Sequence, residues 1–423
     1  MRPPSARIRC ALLCAVVGGF AAAGLSVSRV AAAEEAWSRF RGPDGSGVTE
    51  TAFPTSWTEP DWQVQLPGTG HSSPVVWGDR VFVTAGSDDG SRRLVALEAA
   101  TGQTIWTQTI QLAPTHLHAK NSLASGSPAC DDERVYVPVA SADEVIVAAY
   151  GHDGQPRWRS SLGSYESQHG PGSSPIVHGE LVIMPSDQIG SSAITALDRR
   201  TGQTVWTSPR MSRRAAYATP RPLPGHPHVL VCLSGAEGVT GIDAADGRKL
   251  FRSGEVPMRV VASPAIVGSK VIITCGSGGS GKYMAAIEPT AQSGDDGSWT
   301  LRTVWERRQS IPYVPTPVAR NGDLFFWNDN GVVCCVAPET GQDRWKVRVG
   351  DKYSGSPIIA GGRLYAISEN GRVAVVDAAA ESPTIHEGGR IPSGSHATPA
   401  IGAGRMFLRG FDTLTAIAAK TAE

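Results

Sequence analysis

The sequence is short of charge and has no excess of either sign. Charged residues are 18% of the 423, with 39 Lys and Arg against 39 Asp and Glu. A nucleic-acid binder needs a basic excess to neutralise phosphates, so that class is excluded. Coiled coils, helical arrays and disordered chains need a charged or polar bias, so they are excluded too. The seven cysteines are too dispersed for a zinc motif. No G-x-S-x-G nucleophile elbow occurs. Beyond the N-terminus, no apolar run is long enough to span a bilayer. What abounds is Gly (48) and Pro (30). Together they are about 18% of the chain, against an average near 12%. Such a composition reads as many short strands joined by tight turns.

The N-terminus reads as an export signal. Arg2, Arg7 and Arg9 precede an apolar run from Ala11 to Leu25, and Ala31-Ala32-Ala33 offers a small-residue cleavage site. No Arg-Arg pair is present, and Cys14 lies inside the apolar run rather than at a lipoprotein cleavage site. The expectation is a periplasmic or secreted protein cut near Ala33, with no transmembrane segment afterwards. The signal holds four Arg and no acid, so the mature chain has 35 basic and 39 acidic residues, a net charge of −4. Its five remaining Cys leave at least one thiol unpaired in a monomer.

A repeat runs through the rest. A Ser/Thr-Pro step precedes an apolar run eight times, with proline at 74, 128, 175, 220, 264, 317, 357 and 399. The intervals, 40 to 54 residues, are those of propeller blades. Each unit reads as four antiparallel strands. In five units a turn glycine precedes a large aromatic by four residues: Gly102 and Trp106, Gly154 and Trp158, Gly202 and Trp206, Gly247 and Phe251, Gly341 and Trp345. These rings, with Trp62 and Trp305, are expected to wedge between adjacent sheets as blade-docking residues, not catalytic ones. The last unit lacks a fourth strand. Trp62 lies twelve residues before Pro74, as Trp305 and Trp345 lie twelve before Pro317 and Pro357. The segment Trp62 to Leu66 is therefore expected to complete the last sheet. The reading is all-β: a signal over 1–33, an N-terminal arm over 34–61, and one eight-bladed propeller over 62–420.

The motif Ala96-Leu97-Glu98…Thr101-Gly102…Trp106, repeated as Ala196-Leu197-Asp198…Thr201-Gly202…Trp206, resembles the PQQ-like (pyrroloquinoline-quinone repeat) β-propeller family. The resemblance covers nearly the whole mature chain. That family includes quinoprotein alcohol and glucose dehydrogenases and non-enzymatic propellers such as BamB of the outer-membrane β-barrel assembly machinery. The arm Trp37-Ser38-Arg39-Phe40-Arg41-Gly42-Pro43, ending at Trp57, looks like the entry segment of secreted PQQ-like proteins. No lipid-bearing Cys matches the BamB pattern. One fold hosts many activities, so the resemblance implies fold more than function.

Four features tempt a chemical assignment. Quinoprotein alcohol dehydrogenases stack a vicinal disulfide on their cofactor, and Cys334-Cys335 is a vicinal pair. In a strand its members point to opposite faces, which reads as two core residues. The run Gly276 to Lys282 spells a phosphate-loop pattern. Tyr283 replaces the required Ser or Thr and a strand follows, so it reads as a hairpin tip. Asp88-Asp89-Gly90 and Asp295-Asp296-Gly297 read as turns, not calcium loops. The residues just before the Pro steps are the serious candidates. His71, His169, Tyr217, Arg259, Tyr313, Lys352, Tyr353 and His396 are expected to converge on one mouth of the central channel as a ligand site. His116 and His118, on a longer loop, either cap the same mouth or decorate an insertion. No carboxylate cluster is expected beside them, and no metal or catalytic set is assigned. The expected function is a monomeric, cofactor-free binding or scaffold propeller of the bacterial envelope with a protein or glycan partner. The alternative that the resemblance allows is an oxidoreductase of alcohols or sugars using PQQ with calcium.

Overall fold

The Ser/Thr-Pro steps organise the architecture. Proline fixes its own φ and holds the preceding residue extended, so each step delivers the chain straight into the innermost strand of a blade. That preceding Ser or Thr has a backbone N–H which the inner strand leaves unpaired. It donates to the hydroxyl of the next blade's step: Ser73 N to Ser127 Oγ at 2.8 Å, Ser127 N to Ser174 Oγ at 2.9 Å, and Thr219 N to Ser263 Oγ at 2.9 Å. The series continues at 3.0 Å from Ser263 to Thr316, Ser356, Thr398 and back to Ser73. Seven of the eight junctions are thus tied around the channel by a buried hydrogen bond.

The computed structural model describes residues 36–420 apart from 114, 116, 212, 294–296 and 379–380. The signal segment, His116, Asp295 and Asp296 lie outside the described residues. Eight antiparallel four-stranded sheets stand around the channel, with no helix among the described residues. The first blade comprises Val75–Trp77, Arg80–Gly86, Ser91–Glu98 and Thr104–Gln111. The eighth takes Ala400–Gly402, Arg405–Arg409 and Thr413–Ala418 from the C-terminus and Trp62–Gln65 from the N-terminus. Trp62 pairs with Ala416 and Gln65 with Thr413, so the ring is closed by its own ends. Apolar faces of successive sheets fill the space between blades. Val75, Phe82 and Ala96 of blade 1 meet Val135, Val137 and Ile146 of blade 2, for example.

Five outer-strand tryptophans dock on the next blade, not on their own turn. The Trp62 indole N–H donates to Ala99 O at 3.0 Å, Trp106 to His152 O at 2.9 Å, and Trp158 to Arg199 O at 2.9 Å. Trp206 donates to Ala244 O at 3.0 Å and Trp305 to Pro338 O at 2.7 Å. The ring lies flat on the turn glycine of that neighbour. A Cβ at Gly202 would sit 2.5 Å from the Trp158 ring, and one at Gly102 2.6 Å from Trp62. Glycine is needed twice over, for the positive φ of the turn (72° at Gly202) and for the ring's approach. Phe251 meets Trp299 of blade 5 instead, at 5.1 Å between centroids. Trp345 packs against the cluster shared by blades 6 and 7. Blade 7 has no aromatic of its own in this position. Trp57 from the arm lies on Gly388 and Gly389 there, with its backbone N–H bonded to Gly388 O at 2.7 Å.

The arm also fills the channel. Trp37 bridges to Val76 of blade 1, and Ser38 O accepts the N–H of Cys130 in blade 2. Val48–Thr49 adds a fifth, parallel strand to the inner edge of blade 7, opposite Ile359 and Ala360. Between these anchors two buried arginines grip the carbonyls of the blade-entry prolines. Arg41 donates to Pro357 O at 2.7 Å, Pro317 O at 3.1 Å and Ser46 O at 2.9 Å. Arg39 donates to Pro220 O and Pro43 O, both at 3.1 Å. Burial pulls their pKa values down, to about 9 for Arg41 and about 10 for Arg39. Both stay charged at neutral pH, held by charge-assisted bonds to carbonyl oxygens.

Two outcomes follow from these contacts. Gly202→Ala should cost more than about 3 kcal/mol, from left-handed strain plus collision with Trp158. Gly225→Ala, at φ 81° with open space around its Cβ position, should cost only about 1 kcal/mol. Equal losses in chemical denaturation would dissociate the glycine from tryptophan docking. Arg41→Met should destabilise by about 2–4 kcal/mol, because two proline carbonyls lose their buried donor. Protease cleavage within residues 36–50 should accelerate in parallel.

Candidate functional site

Above the Ser/Thr ring the channel widens into a cavity of about 910 Å³. All eight step hydroxyl residues line it as a waist, and Phe40 of the arm forms part of its floor. The arm therefore turns an open pore into a blind cup. The hairpin tip Gly276 to Gly279 leans over the rim. Its turn, with Gly278 and Gly279 at φ 60° and 72°, joins Lys270–Ser277 to Ser280–Ala291. The phosphate-loop pattern is thus a β-hairpin with no helix behind it.

Seven of the eight residues singled out from sequence line this cup: His71, His169, Tyr217, Arg259, Tyr313, Lys352 and His396. Tyr353 does not. It is 1% exposed, its ring stands 5.0 Å from Trp327, and it belongs to the core between blades 6 and 7. Successive residues of an extended segment point to opposite sides, so Lys352 in the mouth sends Tyr353 inward. His118 joins the wall, stacked on His169 at 4.6 Å. His71 and His396 meet edge to face at 4.4 Å beside Phe411. Tyr217 donates to Gly170 O at 3.1 Å.

Several lining residues were not anticipated. Lys120 and Arg214 sit in loops whose reach into the mouth is set by neighbouring blades. Asp329 also lines the cup, a single carboxylate that the sequence reading did not name. It is not a free base. It accepts the N–H groups of Tyr313 at 2.7 Å and Val314 at 3.2 Å. Burial raises its pKa, against the pull of those bonds. Glu369 stands behind the wall, bound to Lys120 and Ser354, each at 2.7 Å. The Asn-Asp-Asn turn at 328–330 was the one sequence cue to Asp329.

Three of the lining histidines, His71, His169 and His396, are held neutral. Burial, then repulsion from His396 and Arg409, pulls His71 down to about 3. Burial, then Arg259 and His118, pulls His169 down to about 4. Burial also lowers His396, although Glu369 opposes it. Arg259 Nη1 lies 2.9 Å from His169 Nε2. A guanidinium only donates, so Nε2 accepts and the ring proton sits on Nδ1.

The donor set does not fit a calcium-held quinone. Calcium takes six to eight oxygen ligands, carboxylates prominent among them. Asp329, the lining carboxylate among the described residues, is occupied by two backbone donors. Cys334 and Cys335 are free, buried thiols that face different cores, between blades 5 and 6 and between blades 6 and 7. Burial pushes both up to about 12.

Eight four-stranded sheets, ring closure by the N-terminal strand and tryptophan docking on turn glycines define a PQQ-like β-propeller. The family described as outer membrane protein assembly factor BamB matches residues 55–223 and 291–408, and the chain belongs to this PQQ-like family. The unmatched stretch holds Phe251 and the long hairpin of blade 5, where the tryptophan grammar breaks. BamB from Moraxella catarrhalis is similar in fold, 15% identical with a TM-score of 0.59, over 85% of this chain and 99% of that one. The computationally designed Ika8 protein is 13% identical with a TM-score of 0.57, over 84% and 98%. A europium-containing methanol dehydrogenase is 12% identical with a TM-score of 0.49, over 93% and 92%. No curated protein is similar to the chain in sequence.

The neutral histidines make stability depend on acid. A histidine whose native pKa lies below its unfolded value near 6.5 stabilises fully above that pH. The contribution is lost as pH falls from about 6.5 toward about 3 for His71. The melting temperature should therefore drop between pH 7 and pH 4, and His71→Asn should flatten that drop. Parallel curves for parent and variant would contradict the assignment.

Proposed function

We propose that this protein is a non-catalytic binding propeller of the bacterial cell envelope, exported by the N-terminal signal and cut near Ala33. It holds a protein or glycan partner at the cup, with no resident cofactor, and acts as a monomer. The observation that supports this most is the blind cup of about 910 Å³, lined by donors and flat rings, with its carboxylate engaged by backbone. The BamB-like family match supports an envelope binding role. A closed propeller suits it, since its sheet edges are short and protected.

The test is co-purification. The mature chain, recovered from its own envelope under mild conditions, should carry a bound molecule visible by native mass spectrometry. Replacing His118, His169 and Lys352 together with Ala should abolish that mass while shifting the melting temperature little. Retention of the ligand by the triple variant would move the site elsewhere. Reduction of a dye with alcohols or sugars, once quinone and calcium are supplied, would replace this reading with the oxidoreductase one.

A further inference from the structure

The waist hydroxyls have a common orientation problem. Seven of them accept a neighbour's backbone N–H, so one lone pair of each oxygen is committed. A hydroxyl still has one proton to give. Among the described residues none of the eight donates that proton to a protein acceptor. All eight line the cup. The waist is thus an annulus of uncommitted O–H donors.

The mouth above it has the same polarity. Arg214, Arg259 and Lys352 line the cup and have no carboxylate partner among the described residues. The Nδ1 proton of His169 is buried and unpartnered, as its acceptor nitrogen is taken by Arg259. Against these donors stands one lining carboxylate, Asp329, whose oxygens already serve Tyr313 and Val314. Charged and hydroxyl donors, over a base of buried waist residues, select a ligand that brings negative charge and acceptor oxygens.

Size and shape narrow the class. A cavity of about 910 Å³ takes a small molecule or a few sugar units whole, whereas a protein could enter only by a loop, so the glycan half of the reading above fits it best. The flat faces of Tyr217, Tyr313 and the stacked His118–His169 pair offer apolar platforms beside the cations. Sugar rings pair an apolar face with polar edges, which matches that mixture.

Resting on the binding function proposed above, we propose that the cup is a receptor for a short acidic saccharide. Its sulfate or carboxylate seats at the hydroxyl waist and mouth cations, and its rings lie on the Tyr and His faces.

The test is calorimetric titration of the full mature chain with four probes. These are a sulfated galactose tetramer, a galacturonate tetramer, an uncharged galactose tetramer and a tetra-aspartate peptide. One or both acidic saccharides should bind, about tenfold or more tighter than the uncharged one, and weaken as salt rises. Which acidic saccharide binds tells sulfate from carboxylate. Arg259→Gln combined with Lys352→Met should weaken binding about tenfold or more. Thr219→Val is the second variant. The Thr219 hydroxyl is the one in the waist that accepts no ring N–H, and its backbone N–H bond to Ser263 Oγ survives the change. It should weaken binding several-fold at an unchanged melting temperature. Equal binding of the uncharged tetramer, tighter binding of the peptide, no binding of any probe, or insensitivity to both variants would each overturn the inference. Its failure leaves the binding reading standing if a co-purified molecule is still lost from the histidine and lysine triple variant.

Discussion

The hydrogen bonds from one Ser/Thr backbone N–H to the next blade's hydroxyl are the constraint on which the rest depends. An inner strand at a channel has no neighbour on its free edge, and an unpaired buried N–H is costly. Supplying the acceptor from the adjacent step satisfies that donor and also sets the spacing between blades. The proline beside each hydroxyl has no N–H to satisfy, and at three blades its carbonyl faces the channel where Arg39 and Arg41 collect it. One dipeptide thus serves blade entry, ring closure and the seat of the arm.

The outside of the ring is held by a complementary device. Indole rings bury large area and carry one donor that must be met. Trp62, Trp106, Trp158, Trp206 and Trp305 each place that donor on the neighbouring blade, so sheet packing and blade order are enforced by the same side chain. Blade 7 shows what happens when the side chain is missing. The arm inserts Trp57 into the vacancy and ties itself there through Gly388 O. The arm is therefore structural at both ends, as a wedge between outer strands and as the floor of the cup.

Much of the architecture was legible in the chain because a repeat samples the same physics eight times. The Pro steps gave the blade number, and the unpaired strand at Trp62 gave the closure. The mouth was partly legible, since residues before each entry strand must face the channel end. Tyr353 failed for a local reason: adjacent extended residues alternate sides, and a two-residue candidate could hold only one. Lys120 and Arg214 were invisible because loops carry no periodicity to place them, and Asp329 showed only as part of an Asn-Asp-Asn turn.

By itself the sequence determined the number of blades, the four-strand plan of each and the turn positions, because those follow from short-range backbone chemistry repeated along the chain. Tertiary structure alone decided what those elements do to one another. The rings were expected to wedge between adjacent sheets, but only the closed ring of blades shows which surface each one meets: the turn glycine of the blade after it. Prolines that looked like punctuation lend carbonyls to arginines up to 316 residues away. The hydroxyls beside them became a donor annulus only once eight blades had closed around a common axis. Contacts of that separation depend on how sheets pack in space, and no local pattern in the chain records it.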